Sequence, residues 1–116
     1  RGLSKAEVVV ATPGRMLDHL ERGNVDMTNT SMLVLDEADR MLDMGFIEDV
    51  ERIIQSCKNK RQTLFFSATI APKIQQLASR YMDNPEFVSA KKHVDASKLK
   101  QVRFHTIKHT CEPIHN

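Results

Sequence analysis

LVLDEADRML, residues 33–42, passes from a short apolar run, Leu33 to Leu35, straight into three acids, Asp36, Glu37 and Asp39. The run reads as a buried strand, and carboxylates at its end admit two explanations. One is a solvated turn or helix start, where acids meet free N–H groups and the positive end of the helix dipole. The other is a metal–nucleotide site, in which an acid at the strand tip holds Mg²⁺ and its neighbour polarises water. Open α/β sheets keep ligands at the C-terminal ends of their strands, so the flanking sequence has to decide.

Upstream, Glu7–Ala11 (EVVVA) is rich in β-branched residues and reads as another buried strand. It runs into TPGRMLDHLERG, where Thr12 can cap, Pro13 suits the first helical position, Met16, Leu17 and Leu20 share a face, and Gly23 can close the C-terminus. The strand Met32–Leu35 follows, then the acidic turn and a short helix through Leu42. Downstream, Phe46, Ile47, Val50, Ile53, Ile54 and Cys57 recur at helical spacing, with Glu48, Asp49, Glu51 and Arg52 on the opposite side. Thr63–Phe66 (TLFF) reads as a third buried strand ending in SAT. The next helix has Thr69 near its cap, Pro72 in its first turn, and Ile70, Ile74, Leu77, Ala78 and Tyr81 on one face. Phe87–Ala90 is a fourth candidate strand, and Val102–Ile107 is either a short strand or irregular. Alternating strands and helices specify an α/β fold with a largely parallel sheet. Three strand tips, TPGR, DEAD and SAT, would then converge on one sheet edge.

DEAD within LVLDEADRMLDMGF, preceded by ATPGR and followed by FFSAT, resembles the DEAD-box family of ATP-dependent RNA helicases, with matching order and spacing from about Glu7 to Ala90. The resemblance implies the C-terminal half of the first of two RecA-like (P-loop NTPase) domains: residues 1–90 as a partial ATP-binding domain, a largely parallel sheet flanked by helices, and residues 91–116 as a basic linker or tail. It implies RNA-stimulated ATP hydrolysis, coupled to local duplex unwinding or to remodelling of RNA–protein particles, with ATP and Mg²⁺ as cofactors. Asp36 would hold Mg²⁺ through water, and Glu37 would orient and deprotonate the attacking water. Both would therefore serve as catalytic and cofactor-binding residues. Ala38 is small enough for a close turn, and Asp39 would hydrogen-bond to Ser67 and Thr69, so that Ser67, Ala68 and Thr69 couple hydrolysis to strand separation. Thr12, Pro13, Gly14 and Arg15 would hold the sugar–phosphate backbone of single-stranded or duplex RNA. Helix-start N–H groups, a hydroxyl, a glycine and a guanidinium together suit phosphate and carry no base code. In the MGF triplet, Met44 and Phe46 are expected in the core and Gly45 in a turn.

The departures from the family pattern are equally informative. No GK[ST] sequence occurs, so no lysine is placed to grip the β- and γ-phosphates. The segment that reads adenine and the second RecA-like domain with its arginines are also outside this sequence. The chain is therefore expected to be a fragment, inactive alone, that relies on the missing N-terminal half of the domain and on the second domain. Two alternatives stand beside it: a non-catalytic RNA-binding or regulatory module, and a self-associating fragment.

The 116 residues allow one domain at most, with 41% hydrophobic and 28% charged content. No apolar run approaches the roughly 20 residues of a bilayer span. An intracellular protein, cytoplasmic or nuclear, with no membrane partner is expected. The two cysteines, Cys57 and Cys111, are widely spaced in a way that resembles neither a disulfide framework nor a paired-thiolate metal motif, so reduced thiols are expected. Net charge is +2, and the excess sits in the tail, so nucleic-acid contacts in the body must come from individually placed groups. His105, His109, Cys111 and His115 form a competing metal-ligand pattern, weakened by the β-branched Thr106 and Ile107 and by Pro113.

Overall fold

The computed structural model describes residues 3–90, 105–106 and 113–114. The chain divides into two compact units, Arg1–Pro85 and Glu86–Asn116. The first unit opens with a 3₁₀ turn, Leu3–Lys5, and continues through α1 (Pro13–Glu21), β1 (Met32–Leu35), α2 (Ala38–Asp43), α3 (Ile47–Ser56), β2 (Gln62–Phe65) and α4 (Pro72–Tyr81). The second contains two short strands, β3 (His105–Thr106) and β4 (Pro113–Ile114), paired antiparallel.

β1 and β2 run parallel, with Met32 opposite Gln62 and Leu35 opposite Phe65. A parallel pair needs a crossover connection, here supplied by α2 and α3. Because side chains alternate along a strand, Leu33 and Leu35 point one way and Met32 and Val34 the other. Only the first pair is buried; Met32 is 53% exposed and Val34 47%. MLVL is thus apolar on both faces but covered on one. The core lies on the covered side, where the two leucines join Met16 and Leu17 of α1, Ala38 and Leu42 of α2, Val50, Ile53 and Ile54 of α3, and Ile74 and Leu77 of α4.

Two helices end in the same way, for a reason visible in the sequence. Gly23 (φ +67°) and Gly45 (φ +86°) adopt left-handed backbone one residue past the helix caps Arg22 and Met44. At α1, Gly23 N–H donates to Leu20 O (3.1 Å) and Asn24 N–H to His19 O (2.9 Å). At α2, Gly45 N–H donates to Leu42 O (3.1 Å) and Phe46 N–H to Met41 O (3.0 Å). Paired bonds of this kind around a glycine satisfy carbonyls that a helix end otherwise leaves open. Met41 and Phe46 both pack on the core, the apolar contact that accompanies such a cap.

The structure corrects several expectations. Glu7–Ala11 forms no strand: Val8 and Val10 (92% exposed) face solvent and only Val9 reaches the core, because no described strand pairs with this segment. Phe87–Ala90 forms none either, and Phe87 and Val88 are exposed. The third predicted strand is displaced by one residue, to Gln62–Phe65, leaving Phe66 half-exposed. Met44 is exposed, since it follows the last turn of α2 instead of lining it. Ile70 lies outside α4, whose cap residue is Ala71 and not Thr69. The residues of Val102–Ile107 other than β3, and the side chains of His105, His109, Cys111 and His115, lie outside the described residues.

Candidate functional site

The C-terminal ends of β1 and β2 are tied to each other by the main chain. Phe66 N–H donates to Leu35 O (2.8 Å), continuing the ladder one residue past β2, and Ala38 N–H donates to Phe66 O (3.0 Å). Ala38 is 1% exposed, so any larger side chain would collide with packed atoms where α2 begins. Between these anchors the chain bends sharply at Glu37, which takes left-handed backbone angles (φ 50°, ψ 44°). Such angles are uncommon for residues other than glycine, asparagine and aspartate. The bend leaves Asp36 and Glu37 exposed above the strand tip.

Asp39 is fixed more tightly than its neighbours. One carboxylate oxygen accepts the Arg40 N–H (3.0 Å) and the other the Thr69 hydroxyl (3.1 Å). Partial desolvation pushes its carboxyl up, but the Thr69 hydroxyl and the Arg40 N–H outweigh that and hold it below the usual aspartate value. The Ser67 hydroxyl has a single proton, and this goes to Thr69 O at 2.6 Å. Of the two hydroxyls expected on Asp39, therefore, Thr69 supplies the direct bond while Ser67 braces the turn that presents Thr69.

Around these groups lies an open cleft of about 480 Å³ lined by Asp36, Glu37, Asp39, Arg40, Phe66, Ser67 and Ala68. Two of these residues were not singled out from the sequence. Arg40 stands one helical step past the acids, with Nη1 3.9 Å from Glu37 Oε2, and Phe66 forms the apolar wall. Their signals were present, since an i,i+3 Glu–Arg pair and the residue before SAT can both be read from the spacing.

Could the acids hold a divalent cation? Asp36 uses one oxygen for the Glu37 N–H (2.9 Å), and the other has no hydrogen-bond partner among the described residues. Hard, exposed carboxylate oxygens suit Mg²⁺, which prefers to keep several waters. Among the described residues no three His, Cys, Asp or Glu side chains are grouped so as to enclose a metal ion. The fit is thus to a hydrated ion held from one side.

TPGR is built separately. Thr12 is the N-cap of α1, its carbonyl accepting the Met16 N–H (2.9 Å) while its side chain makes no capping bond, and Pro13 occupies the first turn. Thr12, Gly14 and Arg15 are exposed. A Cβ built on Gly14 would meet no atom of the described residues within 4 Å. None of residues 12–15 lines the DEAD–SAT cleft. The expected convergence of three strand tips is therefore seen for two, because the segment before TPGR is not a strand.

Residues 1–77 match the family model of the DEAD/DEAH box helicases. The chain belongs to the DEAD/DEAH box helicase family. It is 51% identical to the ATP-dependent RNA helicase DbpA of Bacillus subtilis over 87 residues, covering 75% of this chain and 18% of that protein. It is 54% identical over 88 residues to the ATP-dependent RNA helicase DBP3 of Saccharomyces cerevisiae, covering 75% and 17% respectively. The fold is similar to that of a solved DEAD box protein from the hyperthermophile Methanococcus jannaschii, with a TM-score of 0.71 and 49% identity over 74% of this chain and 24% of that one. The chain thus spans less than a quarter of each of these relatives. The α/β fold expected for a family member is the one observed, a parallel strand pair with helices packed on it.

Proposed function

We propose that this chain is part of an ATP-dependent RNA helicase and supplies the hydrolytic and coupling half of its first ATP-binding domain. The reading draws support chiefly from the Thr69–Asp39 hydrogen bond, which joins the acidic turn to the SAT segment across the cleft. Bound Mg²⁺ would neutralise phosphate charge. Asp36, with one oxygen committed to its own turn, would hold that ion through water by the other. Glu37, raised clear of the sheet by its backbone bend, would accept the proton of an attacking water. Asp39, Ser67 and Thr69 would transmit any movement of the SAT segment to the start of α2, and Ala68 would line the same wall. Thr12, Pro13, Gly14 and Arg15 would hold RNA through sugar and phosphate. Among the described residues nothing crowds position 14, so packing does not require its glycine, and alanine is in general the better helix former. Room for a closely approaching backbone accounts for it.

The test is ATP hydrolysis by the full-length protein, with and without single-stranded RNA, beside its Glu37→Gln variant. Removing a general base should cost about 10²–10⁴-fold in turnover while RNA binding persists. Equal turnover by the variant would refute the role of Glu37. The 116-residue chain alone, which lacks a GK[ST] lysine, should not exceed its own Glu37→Gln variant. Among the described residues no helix is long and apolar enough to cross a membrane; an intracellular setting, cytoplasmic or nuclear, belongs to the proposed helicase role. The alternative of a self-associating fragment draws support from the uncovered Met32, Val34 and Phe66. It requires dimers or larger species in sedimentation equilibrium, and a monomer at high concentration would end it.

A further inference from the structure

Arg15 and Asp18 on one flank of α1 and Arg22 at its C-cap follow at spacings of three and four, and all three side chains meet. Asp18 is the shared acceptor. Its Oδ2 takes the Arg15 Nη1–H at 3.2 Å and its Oδ1 the Arg22 Nε–H at 2.7 Å. The carboxylate is 32% exposed, about half as much as either arginine. Arg15 is the one cation of TPGR, and this pairing draws its guanidinium along the helix, away from the first turn and its uncapped N–H groups.

A carboxylate oxygen and a phosphate oxygen are the same kind of partner for a guanidinium, and the phosphate competes well for an exposed helical ion pair. The shorter bond to Arg22 keeps Asp18 in place when Arg15 leaves. We propose that Asp18 is an internal competitor of RNA phosphate, holding Arg15 in a withdrawn position and thereby setting how tightly the TPGR turn grips the RNA backbone. The proposal rests on the reading of Thr12–Arg15 as an RNA contact.

The measurement is anisotropy of a labelled single-stranded oligouridylate at low salt, with helical circular dichroism recorded for every variant. Asp18→Asn should tighten binding about two- to five-fold, the range of one exposed ion pair. Arg15→Ala should weaken it. The double variant should bind as Arg15→Ala does, because the effect of Asp18 runs through Arg15. Glu48→Gln, which removes the same charge from exposed α3 surface, should give a smaller gain. No gain in Asp18→Asn, an equal gain in Glu48→Gln, or an undiminished gain without Arg15 would each overturn the competitor. Unchanged binding by Arg15→Ala, or no binding by either the wild type or Asp18→Asn, would overturn the RNA reading of TPGR together with it.

Discussion

The two faces of β1 are chemically alike and structurally opposite. Leu33 and Leu35 are closed in by four helices, whereas Met32 and Val34 stand half in solvent. A strand buried on both faces reads as an unbroken apolar run, so the sequence speaks for cover on both sides while the described residues supply it on one. The first turn of α1 resembles the outer face. Gly14 has open space where a side chain would go, and Thr12 leaves its capping position unused. Apolar or small residues on which the fold makes no demand mark surfaces shaped for something other than this chain's own packing.

The comparison breaks first at the core. Ile54 is 1% exposed, and Ile54→Ala should cost about 2–5 kcal/mol, measured by urea denaturation. A much smaller loss would mean that the inner face is as loosely held as the outer. Gly14→Ala sharpens the contrast because stability and function should part: folding should gain up to about 1 kcal/mol while RNA affinity falls. If both fall together, glycine is needed by the helix itself. Val34→Thr, on the uncovered face, should change stability by no more than about 0.5 kcal/mol. A core-sized penalty there would show that the outer face is covered in solution.

Smallest is an effect visible only through pH. The Asp39 carboxyl is held below its ordinary value of 3.8, with the Thr69 hydroxyl as the leading favourable partner. A depressed carboxyl contributes stability above its unfolded value and loses it as pH falls through the folded one. Thr69→Val should therefore unfold more easily than the wild type at neutral pH, with the difference starting to shrink near pH 3.8 and vanishing only once pH has fallen through the lower folded-state value. A gap that persists at low pH would assign the loss to packing instead of to the hydrogen bond.

Periodicity located α1, α3 and α4, and turn chemistry located the ends of α1. Gly23 closes α1 as expected, because few other residues suit that backbone. Strand pairing was harder to read. VVVA has the composition of a strand, but a strand exists only beside a partner, and composition does not say whether the partner is present. The same blindness placed Met44 in the core, one residue beyond the helical turn that would have put it there. At the cleft DEAD and SAT lie together as the motif order suggests, because the register pairs Leu35 with Phe65 and so ends the two parallel strands side by side. The destination of the Ser67 proton was not legible, being decided by the path of a three-residue turn. Nor was the role of Arg40 as a cleft wall, although its spacing from Glu37 was plain.

The left-handed backbone at Glu37 bears on the gene's history. Glycine or asparagine would occupy these angles with less strain than glutamate, so folding alone would push the position away from glutamate. On the proposed role of Glu37 as the acceptor of a proton from water, codon 37 is where drift should register early in any descendant copy that no longer hydrolyses ATP, and each such replacement should leave a sturdier protein.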